Sequence, residues 1–299
     1  MAEIEKHFIE EFNNNLQILS QQEKSIFRGT VMERMHKGEG ARVVDQFGEK
    51  EAVERTTRFA PVLMDETPRD ARWLNPRDFD SGEPIDTYDR LRLAVQPDSS
   101  IMLTNMAAIN RKLDDLIIGA FTGDAKTGKD GGTTTPFATS TQTVGVTVGS
   151  TVNTGLNTKK LLTARKIILQ NEIDITNPLN KVFCAITAEQ EEDLLEQIKV
   201  VSTDYQNQAV LSGNGNKLNS WFGINFVQSE RLLTDSNGYR INPFWVKSGM
   251  HFGIWQDVSG DIRRLPDIRR NPYYIEVMIT ANATRTEEKK VVQILSAEA

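Results

Sequence analysis

Apolar positions along this chain fall into a few helical stripes and many short alternating runs. Ile4, Phe8, Phe12 and Leu16 recur at four-residue steps and predict an amphipathic helix over residues 3–20, polar on its other faces. After Gln96-Pro97-Asp98-Ser99 the residues Met102, Met106, Ile109, Leu113, Leu116, Ile117 and Ala120 follow at three- and four-residue steps. They predict the longest helix, from Ser99 to Phe121, with Asp98 or Ser99 as N-cap and Gly123 as its stop. A further stripe of Leu161, Leu162, Ile168, Leu169 and Ile173 predicts a helix starting near Thr158. A short strand, Lys181 to Ile186, precedes Thr187-Ala-Glu-Gln190. That tetrad is a capping box, in which Thr187 and Gln190 satisfy each other's backbone donors, and it opens a helix to about Lys199.

Period-two runs supply the strands. Thr30 to Met35 and Ala41 to Phe47 alternate, with Gly38, Gly40 and Gly48 between and after them, and Lys50 to Phe59 is densely charged. This reads as a long β-ribbon or loop with little apolar surface of its own; such a segment cannot offset the entropy of ordering by itself, so it is either disordered or held by neighbouring subunits. Pro61 to Pro84 is rich in Pro, Asp and Arg and predicts an irregular, extended connection. Gly, Thr and Ser dominate residues 123–155, a loop followed by weak alternation at Val144 to Val148. The remainder predicts short strands at 223–228, 243–247, 251–256, 261–265, 273–280 and 290–295, with turns at Gly238, Gly249 and Gly260. Strands and helices mixed in this way make an α+β fold.

Composition narrows the function classes. The formal net charge of −6 argues against a dedicated nucleic-acid binder, which presents a strongly basic face. It suits a protein that must stay soluble, or one that lines a DNA-filled space without sticking to the phosphates. The single cysteine, Cys184, allows no internal disulfide. No apolar run reaches membrane-spanning length, and Met1 to Phe12 lacks a signal-peptide core, so synthesis and folding in a cytoplasm are expected.

One stretch tempts a chemical reading. Gly123-Asp-Ala-Lys-Thr-Gly128-Lys129 matches seven positions of a phosphate-binding loop and would make the chain a nucleotide-binding enzyme. The eighth position must be Ser or Thr, and Asp130 stands there. The stretch also follows a helix instead of a strand, so a flexible surface loop is the better reading. His7, His36 and His251 are scattered, without partners at metal-ligand spacing, and no metal or other cofactor is expected. Cys184 lies in an apolar strand and reads as a core residue. Glu191-Glu192-Asp193 and Glu287-Glu288 read as solvated faces; Arg263-Arg264 with Arg269-Arg270 form a basic cluster that can touch phosphates but is flanked by acids, and salt bridges between subunits are an equal reading. Nothing converges as catalytic residues would, and no enzyme is expected.

Four stretches, in order, resemble a known family. They are Thr67-Pro-Arg-Asp-Ala-Arg-Trp-Leu-Asn-Pro-Arg-Asp-Phe-Asp with Ile85-Asp-Thr-Tyr-Asp; Pro97-Asp-Ser-Ser-Ile through Asn110-Arg-Lys-Leu-Asp-Asp-Leu; Val201-Ser-Thr-Asp-Tyr leading to Trp221-Phe-Gly-Ile-Asn-Phe; and Ala283-Thr-Arg-Thr-Glu-Glu-Lys-Lys-Val-Val. Together they resemble major capsid proteins of tailed bacteriophages with the Hong Kong 97-type fold, over about residues 30 to 297. The resemblance implies an N-terminal arm (1–35), an extended β-loop (36–85), a peripheral domain with a long spine helix (86–177), an axial domain (178–268) and strands returning to the peripheral domain (269–299). It implies self-assembly into pentamers and hexamers of an icosahedral head around double-stranded DNA, in the virion, after assembly in the host bacterial cytoplasm. A separate scaffolding protein, a portal and a decoration protein are the further partners it implies; no membrane is. Some relatives cross-link a loop lysine to an asparagine of another subunit, for which Lys37 and Lys50 are candidates by location alone. A non-viral, encapsulin-like compartment of the same fold is the alternative.

Overall fold

The structure, a computed structural model, describes residues 21–58, 66–85, 98–197, 211–212, 217–218, 220–269 and 271–298. The helix expected over residues 3–20, the stretch 61–65 and the Val201-to-Tyr205 segment lie outside the described residues. In chain order the elements are β1 (Met32–Met35), β2 (Ala41–Phe47), β3 (Arg69–Leu74), β4 (Asp78–Ile85), α1 (Asp98–Thr122), β5 (Ala125–Thr127), β6 (Thr133–Thr135), β7 (Thr143–Val144) and α2 (Thr158–Gln170). There follow β8 (Val182–Ile186), α3 (Ala188–Leu195), β9 (Leu211–Ser212), β10 (Lys217–Leu218), β11 (Ser220–Trp221) and β12 (Ile224–Gln228). The last are β13 (Arg240–Val246), β14 (Met250–Arg264), β15 (Tyr273–Arg285) and β16 (Val291–Ser296). The mixture is the α+β class that the sequence predicts.

The chain divides into two compact units. The smaller, built from residues 78–112 and 256–279 with the segment ending at Ser25, carries β4, the outer half of β14 and the first half of β15, in the order β14–β15–β4. The strands expected at 251–256 and 261–265 are one strand of 15 residues. Gly260 does not turn the chain between them. A Cβ there would stand 2.7 Å from Met102 Sδ, so the glycine makes room for the first half of α1. Pro61 to Pro84 is likewise not an irregular connection where it is described. It forms β3 and β4, which join different sheets.

The larger unit, residues 26–77, 113–255 and 280–299, contains a six-stranded sheet ordered β11–β12–β8–β13–β16–β7. The β12/β8 and β16/β7 pairs are parallel and the others antiparallel. Leu161, Ala164 and Ile168 of α2 pack on Cys184, Ile186, Phe244, Val246, Val292 and Ile294. The sequence stripe was too wide: Leu162 and Leu169 lie about 100° further round the helix and are exposed, while Ile173 lies beyond its end. Trp245 is fully buried and meets Phe121 at 4.5 Å, Phe183 at 5.7 Å and Phe27 at 5.9 Å between ring centroids. Phe27 is placed by the wholly buried Asp114, whose carboxylate accepts from the Ile26 and Phe27 amides at 3.0 and 3.3 Å.

Helix ends follow local chemistry. Thr187 and Gln190 form the expected capping box, and α3 ends at Leu195. Asn157 caps α2, its side chain accepting from the Lys160 amide at 2.8 Å. Lys160 itself is buried, and its ammonium donates to the carbonyls of Thr154 (2.6 Å), Gly155 (2.9 Å) and Leu295 (2.9 Å). Burial pushes its amine down to about 8, against the pull of Asp193. It therefore stays charged at neutral pH and ties the loop before α2 to the last strand. Lys160→Met leaves three buried acceptors without this donor; urea unfolding should show a loss of about 1–3 kcal/mol.

Candidate functional site

Among the described residues, the longest unbroken run of exposed positions lies in the ribbon, from Phe47 to Arg58. β2 buries Ala41 and Val43, bulges between Arg42 and Val44, and pairs antiparallel with β3. Beyond Gln46 every residue to Arg58 is exposed, including Phe47 at 66% and Val53 at 67%. Met35, at the end of β1, is 75% exposed. These apolar side chains are left open to solvent by the described part of the chain.

The root of this ribbon is held by charge. Arg285 is 1% exposed, and its Nε donates to Glu288 Oε2 at 2.8 Å. Its Nη1 donates to the carbonyls of Ala120 (3.1 Å), Phe121 (3.2 Å) and Gly123. These carbonyls close α1, where the last turn of any helix leaves acceptors unpaired and the helix dipole is negative. A cation is the partner such a terminus favours, and α1 has no basic residue in its own last turn. Phe137 lies under the guanidinium at 5.3 Å. Glu288 also faces Arg72 of β3 at 3.5 Å, and Arg72 Nε donates to the Thr286 carbonyl at 3.1 Å. Gln46 of β2 donates to the same carbonyl, and the Thr286 hydroxyl donates to the Ser248 carbonyl at 2.7 Å. Helix end, ribbon strands and the turn before β14 thus meet where β15 ends, at Arg285, Thr286 and Glu288.

Several sequence expectations change here. Glu288 is not on a solvated face; it joins two buried arginines. Asp193 is not solvated either: it accepts from the Leu156 amide at 2.9 Å, and burial raises its carboxyl. The Gly123-to-Lys129 stretch is no flexible loop. It enters a hairpin of β5 and β6, with the Gly128 amide donating to Asp70 Oδ1 at 2.9 Å and Trp73 Nε1 donating to the Gly128 carbonyl at 2.8 Å. A phosphate loop must free its amides ahead of a helix, and this stretch follows α1 and runs into a strand. Cys184 is a core residue, its thiol pushed up by burial. Arg263 pairs within the chain, with Glu276 at 2.8 Å, and Arg264 stacks on Tyr273 at 4.7 Å. Lys37 and Lys50 are both exposed.

The fold also assembles what the sequence hid. His36 and His251 stand 215 residues apart with their Nε2 atoms 2.8 Å apart. His251 lines a cavity of about 400 Å³ together with residues including Arg34, Asp45, Glu287 and Lys290. No local spacing could reveal that pair. For the arginine network the only trace was Glu288 standing three residues after Arg285. Among the described residues, no group of three or more His, Cys, Asp and Glu could hold a metal ion, and no helix is long and apolar enough to cross a membrane.

Removing Arg285 would strand Glu288 and the carbonyls that end α1. Arg285→Ala should cost about 3–5 kcal/mol in equilibrium urea unfolding of the unassembled chain. Arg285→Lys, which keeps the charge but not the fork, should fall between the variant and the parent.

Comparison with known proteins agrees with this architecture. The chain resembles the capsid of cyanophage P-SCSP1u, at 12% identity over 98% of this chain and 94% of that one, with a TM-score of 0.72. The capsid of cyanophage Pam1 is similar at 11% identity over 99% of both chains, TM-score 0.71. The capsid of Ralstonia phage GP4 is similar at 9% identity over 100% and 98%, TM-score 0.69. At these identities the likeness establishes the fold, the Hong Kong 97-type fold expected from the sequence. No curated protein matches the chain. The family model described as "Phage capsid protein" matches residues 4–298, and this chain is therefore a member of the phage capsid protein family.

Proposed function

We propose that this chain is the major subunit of a phage head, closing into pentamers and hexamers that tile an icosahedral shell around double-stranded DNA. The observation that carries the reading is the family match over residues 4–298, on a chain whose ribbon is anchored at its root and open beyond Gln46. A repeated contact around an axis closes rings, and rings with complementary edges close a shell. A segment that cannot order itself fits this role, because a neighbouring subunit supplies the missing apolar and polar partners.

In this reading residues 1–35 are the arm, 36–85 the extended loop, 86–177 and 269–299 the peripheral domain with α1 as its spine, and 178–268 the axial domain. The net charge of −6 keeps packaged DNA from adsorbing to the wall. A separate scaffolding protein, a portal and a decoration protein are the partners of assembly in the host cytoplasm, and the virion is the destination. The chain acts by assembly and not by catalysis.

Electron microscopy of the purified chain, co-expressed with the scaffolding protein from its own genome, tests this reading. Uniform closed shells, or rings of five and six, are the expected result. A chain that stays monomeric with the scaffold present would contradict it, and shells filled with an enzyme in place of DNA would assign it to a non-viral compartment.

A further inference from the structure

The His36–His251 contact sits where the ribbon begins. β1 lies parallel to β14 with Met32 opposite His251 and Met35 opposite Ile254, and the His36 amide donates to the Ile254 carbonyl at 2.8 Å. The imidazole of His36 packs on Trp255 at 5.4 Å, and Trp255 Nε1 donates to the Gly38 carbonyl at 2.8 Å. Gly253 completes the fit, since a Cβ there would stand 2.9 Å from His36 Cδ2 and 2.7 Å from Leu74 Cδ2. His251 is 2% exposed.

Two ring nitrogens at 2.8 Å share one proton: one donates and the other accepts. That arrangement survives with the pair neutral or singly charged. It fails when both rings carry two N–H groups, because two donors and two positive charges then face each other in a buried site. The charged groups around the pair offer no relief. On β1, Arg34 adds positive charge, while Glu33 is engaged by Arg28 and by the Gly29 amide. Across the cavity, Asp45 of β2 pairs with Arg42, and Glu287 pairs with Lys290 at 3.0 Å. Lys37, next to His36, is exposed.

We propose that His36 and His251 form a proton-operated latch, which holds the start of the ribbon on β14 near neutral pH and releases it in acid. Burial first, then the partner ring and Arg34, hold His251 down at about 4; burial and Arg34 lower His36. Both shifts lie below the ordinary value of about 6.5. The unfolded or undocked ribbon therefore binds protons more readily than the docked one. Docking is fully stabilised above about pH 6.5 and is lost progressively as pH falls toward 4. The latch acts within one chain and does not depend on the shell reading.

Amide hydrogen exchange of the full chain in solution, corrected for intrinsic rates, is the test. Residues 31–38 should lose at least about tenfold in protection between pH 7 and pH 4.5, ahead of β13 and β16. His36→Gln, which can still hydrogen-bond His251 but cannot charge, should reduce that step to less than about twofold. A step that persists in His36→Gln would assign the effect to other groups and overturn the latch. Should the variant not fold, histidine NMR titration of the parent chain decides: two separated midpoints with the lower below about 5 are expected. Two independent midpoints near 6.5, or separated midpoints without loss of protection at 31–38, would overturn it.

Discussion

The root of the ribbon and the end of α1 depend on one buried guanidinium. Arg285 closes the C-terminus of α1, the longest helix of the chain, and fixes Glu288. Glu288 in turn holds Arg72 of the ribbon sheet. A helix end buried without a partner costs several unpaired carbonyls, and a buried arginine without a carboxylate costs more than its hydrogen bonds return. Each solves the other's problem, and Glu288 balances the two cations. The cluster lets a segment with little apolar surface be held firmly at its root by polar contacts.

That arrangement divides the ribbon into two physical regimes. From Ala41 to Gln46 its strands are paired, bulged and tied to Thr286 and Arg72. From Phe47 to Arg58 it is exposed, with Phe47 and Val53 open to solvent. A root held by buried polar contacts and an exposed tip suit a segment that contacts a neighbour. In the proposed shell that neighbour is another copy of the chain.

The sequence was legible where structure is local. The α1 stripe from Met102 to Ala120, the capping box at Thr187 and Gln190, and the apolar strand around Cys184 each carry their own signal in adjacent residues. The ordered family stretches supplied the fold. Legibility failed where long-range contact decides. Gly260 reads as a turn until Met102 is brought against it. Glu287-Glu288 reads as solvent-facing until β15 delivers Arg285 to the end of α1. His36 and His251 have no common motif, because only the parallel pairing of β1 with β14 joins them. Leu162 and Leu169 erred the other way, as apolar side chains that satisfied the stripe but face outward.

Hydrogen exchange of the chain before and after assembly tests the central claim, that the tip of the ribbon is completed by a neighbouring subunit. Residues 51–58 should pass from little protection in the free chain to at least about tenfold protection in the assembled shell, while 41–48 and 69–74 are already protected in both. Exchange at 51–58 that is as fast in the shell as in the free chain would contradict the account.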